Sequence, residues 1–134
     1  MANRSKPSSP RSTSIWLARI VALFGAICCL IALAHIALGP SAIPGAIPVN
    51  ATMDSEDRFY ATLFLGFGIA LIWCARDVAA RTQVFGFLLA VFFAGGLARL
   101  LSVAAVGWPS PLFIFLGGLE LALPPTLWLW VKRA

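Results

Sequence analysis

Four apolar stretches, each close to the length at which a helix crosses a hydrocarbon core, take up most of this chain. A core about 30 Å thick needs about 20 apolar residues in a helix rising 1.5 Å per residue. The spans are expected at about 15–38, 57–76, 84–106 and 112–131. The second is counted from Asp57 to Arg76 because its apolar run, Phe59 to Cys74, is short by itself. With 60% hydrophobic and 11% charged side chains in 134 residues, the chain lacks the polar residues to cover a soluble surface. Inside hydrocarbon each backbone polar group needs a protein partner, which long uninterrupted segments find as helices. The expected fold is therefore all-α: an integral membrane four-helix transmembrane bundle over residues 15–134. Ahead of it lies a tail over 1–14, rich in serine and proline, read as disordered and cytoplasmic.

Charge sets the orientation. Arg4, Lys6, Arg11 and Arg19 precede or open the first span, Arg76 and Arg81 bracket the turn between spans two and three, and Lys132 and Arg133 close the chain. An even number of spans puts all eight on one side, and the positive-inside rule makes that side, with both termini, cytoplasmic. The expected location is the cell inner (plasma) membrane. The net charge of +5 does not point to nucleic acid, because the basic residues lie at loop ends without interleaved exposed aromatics. The first span, 24 residues long, exceeds a signal-peptide apolar region and is read as a membrane helix.

Two charges remain inside the spans. Arg99 lies seven residues before the end of span three at Val106, a depth of about 10 Å at helical rise. Glu120 lies eight residues after the start of span four at Leu112, a depth of about 12 Å. An ionised group at mid-membrane costs about 3 kcal/mol on insertion scales, so opposite charges at matching depth are expected to meet. Gly95 and Ser102 share the helical stripe of Arg99, and Gly117 and Pro124 share that of Glu120.

Further polar groups fall on the same outer side: His35 near the end of span one, and Glu56, Asp57, Arg58 and Tyr60 at the start of span two. Together with Arg99, Glu120 and Ser102 they form the candidate ligand-binding or buried polar site, an outward-facing pocket. Asp54 reads as the cap of span two, with Glu56 and Asp57 complementing the helix dipole. Arg99 and Glu120 have a plain structural role open to them as well, locking spans three and four together. The uncharged loop from Gly39 to Met53, stiffened by Pro40, Pro44 and Pro48, is read either as a lid with Ile43 and Ile47 pointing down or as a connector in the headgroups.

Other chemistries lack their residues. No HxxxH, ExxH or CxxC spacing supports a metal site, no GxSxG, Walker or dinucleotide motif is present, and no cofactor is expected. Cys28, Cys29 and Cys74 lie in spans or at their cytoplasmic edge and imply no disulfide framework. Small residues at helical spacing, Ala18/Ala22/Ala26, Gly66/Ala70, Gly95/Gly96 and Gly117/Gly118, favour close helix packing. The alanine ridge would equally serve a homo-oligomer seam. Pro124 and Pro125 should kink span four one turn past Glu120.

Three runs carry a resemblance: Val49 through Tyr60, Gly95-Gly-Leu-Ala-Arg99-Leu-Leu-Ser102, and Leu119-Glu120-Leu-Ala-Leu-Pro-Pro125. In order and spacing they are similar to a bacterial four-helix membrane-protein family described only as domain of unknown function 4345. The resemblance implies a small four-span protein whose recurrent polar residues are Glu56, Asp57, Arg58, Arg99 and Glu120, and implies no activity. In span count alone the chain also resembles DoxX-like membrane proteins, an analogy to redox or lipophile handling. The leading functional reading is a binding or accessory protein, with the bilayer, a small amphiphile or a membrane-protein partner as its contacts. The alternatives are a membrane enzyme acting on a lipid or quinone-like substrate through Glu120 or Asp57, and a small transporter subunit.

Overall fold

The computed structural model describes residues 13–134, and in them the chain forms four helices and no strand. They are α1 (Ile15–Leu38), α2 (Ala51–Ala75), α3 (Thr82–Val106) and α4 (Pro111–Arg133), with a 3-10 turn at Gly39–Ala42. All four are long and apolar enough to cross a membrane. Apart from Thr13 and Ser14, the tail expected over 1–14 lies outside the described residues. The Thr13 hydroxyl accepts from the Ala79 backbone N–H at 3.2 Å, which ties it to the turn between α2 and α3.

The helix ends follow local chemistry. Gly39, at φ +62°, stops α1 in a conformation that favours glycine, and a Cβ there would collide with Asp54 Oδ1. Gly107, at φ +110°, stops α3, and Pro111 opens α4 at a position where a missing N–H costs nothing. The start of α2 corrects the sequence expectation. Asn50, not Asp54, is the cap: its side chain accepts from the Met53 N–H at 2.9 Å. The helix thus begins at Ala51, six residues before the apolar run could be extended, because hydropathy is blind to a polar but helical first turn and a half. Pro124 and Pro125 both lie inside α4, which stays helical through them. Thr126 Oγ1 donates to the Ala122 carbonyl at 2.8 Å in the same turn.

The helices are arranged as two hairpins of unequal tightness. α1 packs on α2 along most of its length, and α3 on α4 less extensively; contacts between the hairpins are few. The closest approach is at Gly25 and Gly68, where a Cβ on Gly68 would lie 2.7 Å from Cys29 Sγ and 2.8 Å from the Gly25 carbonyl oxygen. Gly66, expected on the packing face, has nothing within 4 Å, and neither has Gly118. Two residues along a helix turn a side by about 200°, so Gly66 and Gly68 cannot both face α1. Between α3 and α4, a Cβ on Gly96 would fall 2.8 Å from Leu121, and one on Gly86 would fall 2.7 Å from the Trp128 ring.

The buried core sits toward one end, where the start of α1, the end of α2, the start of α3 and the end of α4 converge. Leu17, Val21, Leu71, Cys74, Val78, Phe85 and Leu127 are almost fully enclosed there. Beyond Gly96 on α3 and before Pro124 on α4 no residue is buried. We call the packed end the terminal end and the opposite one, with the Gly39–Asn50 segment, the loop end. Large apolar side chains such as Leu30, Phe87, Leu101 and Phe115 cover the outside, as expected of a surface facing acyl chains.

Candidate binding cavity

Because the hairpins meet closely only at the terminal end, a cavity of about 780 Å³ lies between them. It extends along α1 from Ile20 to His35 and reaches Ile43 in the loop. Its walls are aliphatic and aromatic. Phe64 and Phe67 stack at 5.8 Å, Phe67 stacks on Phe92 at 5.8 Å, and Phe24 meets Phe92 edge-on at 4.8 Å, so the aromatic wall crosses from one hairpin to the other. The polar side chains lining it are His35, Asp57, Tyr60, Arg99 and Glu120, together with the Cys28 thiol.

Each hairpin contributes one pair of these. Arg99 Nε donates to Glu120 Oε2 at 2.7 Å, across α3 and α4. The carboxylate is the better shielded partner, its side chain 13% exposed against 42% for the guanidinium. Small residues make room for them: a Cβ on Gly117 would be 3.5 Å from Arg99 Cδ, and one on Gly95 would be 4.0 Å from Glu120 Oε2. The Arg99 guanidinium also lies 5.7 Å from the centre of the Phe113 ring. On the other hairpin His35 Nδ1 donates to Asp57, at 2.9 Å from Oδ2 and 3.1 Å from Oδ1. A carboxylate only accepts, so the proton is on Nδ1 and Nε2 is the ring nitrogen left over.

The remaining candidates divide. Arg58 turns away from the cavity: it binds Asp54 through Nε at 2.8 Å and Nη2 at 3.2 Å, and its Nη1 donates to the Ile36 and Ala37 carbonyls at 2.6 and 3.2 Å. It thereby satisfies carbonyls that the end of α1 leaves open. Tyr60 lines the cavity, largely exposed. Glu56 and Ser102 are exposed and do not line it. Ser102 follows Arg99 by three residues, a rotation of about 300°, which carries it past the α3–α4 seam. Glu56 and Arg58 flank Asp57 at about 100° on either side, so only Asp57 faces inward. Of the loop residues, Ile43 reaches the cavity while Ile47 is 79% exposed, so the lid reading, in which both point down, holds for Ile43 alone. Among the described residues no group of three metal-ligating side chains converges.

At the terminal end three basic residues stack on tryptophan: Arg81 at 3.9 Å from the Trp73 ring centre, Lys132 at 4.7 Å from Trp128 and Arg19 at 5.2 Å from Trp16. Arg81 also donates to the Trp73 carbonyl. Tryptophan paired with basic side chains is the composition of a membrane–water interface.

Fold and surface together define a small multi-pass, four-helix membrane-type protein. Residues 17–131 match the model of the family described as Domain of unknown function (DUF4345), and the chain belongs to that family. No curated protein and no solved structure matches it.

Proposed function

We propose that this protein binds a membrane amphiphile between its two hairpins, with the polar head at the His35–Asp57 and Arg99–Glu120 pairs and the apolar chain along α1 toward Ile20. The observation that carries this reading is the cavity itself: about 780 Å³, within the range of small-molecule sites, apolar along its length and polar toward one end. The Arg99–Glu120 ion pair and the His35–Asp57 hydrogen bond border the cavity and are not sealed within a helix seam, which supports a role in ligand contact beyond holding helices in register.

The proposal includes a membrane orientation. With Arg19, Arg76, Arg81, Lys132 and Arg133 at the terminal end, both termini are cytoplasmic and the polar end of the cavity lies toward the outer face of the inner membrane. Native mass spectrometry of the purified chain tests the binding reading. A reproducible small-molecule adduct is expected on the unaltered protein, and its loss in Gly95→Leu, which projects a side chain into the cavity. A bundle that emerges empty from several mild detergents, and that fails to take up added amphiphiles, contradicts it.

A further inference from the structure

The N–H donors facing the cavity are concentrated on one side chain. A guanidinium has five N–H donors, and among the described residues Arg99 uses one, its Nε–H, in a bond to Glu120. Four donors on a half-exposed group at the cavity wall are left to a ligand or to water. The acceptors in the same space are the unused lone pairs of the Glu120 and Asp57 carboxylates, the Tyr60 hydroxyl and the second ring nitrogen of His35, spread over four side chains. A ligand head that complements the Arg99 donors offers acceptors.

Charge narrows the choice. Arg99 is neutralised by Glu120 at 2.7 Å, and a second carboxylate, Asp57, faces the same cavity with His35 as its partner. An added anion would face two carboxylates and stay uncompensated in a low-dielectric space, while an ammonium head, which only donates, would leave the free N–H groups of Arg99 without acceptors. Length narrows it further. Ile20 to His35 spans about 22 Å at helical rise, more than the depth of one leaflet, about 15 Å, so the space suits a head with a long chain better than a compact molecule.

We infer that the cavity takes an uncharged long-chain amphiphile whose head offers carbonyl oxygens, as an ester or ketone does, to the terminal N–H groups of Arg99, with Glu120 as the positioning residue that holds the guanidinium. The inference rests on the binding reading above and specifies its ligand class.

The test compares methyl palmitate, palmitate and hexadecane, titrated into nonionic micelles holding the full chain, in alkaline buffer, with native mass spectrometry as the readout. The ester should bind at least about tenfold more tightly than hexadecane, the gain of a hydrogen bond to a charged donor, and at least about tenfold more tightly than ionised palmitate. In Arg99→Leu/Glu120→Leu the advantage of the ester over hexadecane should vanish while hexadecane binding persists. Should that variant not fold, Arg99→Gln/Glu120→Gln, which keeps a neutral pair with fewer donors, should reduce the advantage. Gly95→Leu should weaken the ester and hexadecane alike. Palmitate binding as tightly as the ester overturns the uncharged head. Ester and hexadecane binding equally overturns the role of Arg99 and leaves the cavity reading standing. No binding of any probe ends both, as does binding untouched by Gly95→Leu. An ester advantage that survives in the folded variant lacking Arg99 assigns the donors elsewhere and overturns the inference.

Discussion

The two hairpins of this bundle use similar residues to different ends. α1 and α2 approach at Gly25 and Gly68 closely enough to exclude any Cβ, and the end of α1 is tied to α2 by the Arg58–Asp54 clamp. α3 and α4 also meet through glycines, at Gly86 and Gly96, but against the side chains of Trp128 and Leu121 rather than against backbone. Their loop-end halves bury nothing, and the link there is the Arg99–Glu120 pair. One hairpin is held by packing and the other, at the cavity, by an ion pair. The difference teaches where such a small membrane bundle can keep a cavity: beside the seam whose contacts are polar and few.

The largest effect should come from the glycine contact. Gly68→Val puts atoms against backbone as well as against Cys29, and overpacking a filled seam costs about 1–3 kcal/mol or more. Gly66→Val, two residues away in open space, should leave a monodisperse protein. Size-exclusion profiles and thermal unfolding of the two variants measure the contrast, and equal behaviour would remove the distinction between the hairpins.

Next is the ion pair. Arg99→Leu leaves the shielded Glu120 carboxylate without its partner and should destabilise the protein by about 3 kcal/mol, whereas Arg99→Leu/Glu120→Leu should recover most of that loss. Unfolding of the single and double variants in one detergent reads the recovery. A double variant as unstable as the single one would mean that the pair contributes through something other than mutual neutralisation.

Smaller effects belong to the ends of α1 and α2. Arg58→Gln removes donors from the Ile36 and Ala37 carbonyls and should cost about 1 kcal/mol, a partly exposed clamp being worth little more. Asn50→Ala should cost about 1 kcal/mol through loss of the cap, while Asp54→Asn keeps the cap and disturbs only the clamp. Hydrogen exchange at the first turn of α2 separates them: Asn50→Ala should raise it and Asp54→Asn should not.

Much of the fold could be read from the residues, and the reason is the bilayer. A requirement for about 20 apolar residues per span makes α1, α3 and α4 visible with ends displaced by two residues at most. α2 escaped at its start because Asp54, Glu56, Asp57 and Arg58 depress hydropathy over a segment that Asn50 caps as helix. The sequence named His35 and Asp57 as candidates but not as partners. Arg99 and Glu120 could be matched by depth because both helix ends are marked by Gly107 and Pro111. His35 and Asp57 are not paired by depth, since three residues from the end of α1 is about 4.5 Å and six from the start of α2 is about 9 Å; the folded helices bring them together. The cavity was not legible at all, since it depends on how far two hairpins part, and short-range periodicity carries no record of that. Nor does periodicity distinguish Gly66 from Gly68 until one of them is placed against a neighbour.

The proposed amphiphile occupies the space between the hairpins and does not merely coat the bundle. Photocrosslinking with an alkyl-diazirine ester, followed by peptide mapping, tests it most directly. Labels should concentrate on cavity-lining Phe92, Phe113 and Leu123, fall in Gly95→Leu, and stand above a low background on outward-facing Leu100, Leu101 and Val106. Labels spread evenly over the outward-facing residues, unchanged in Gly95→Leu, would contradict it.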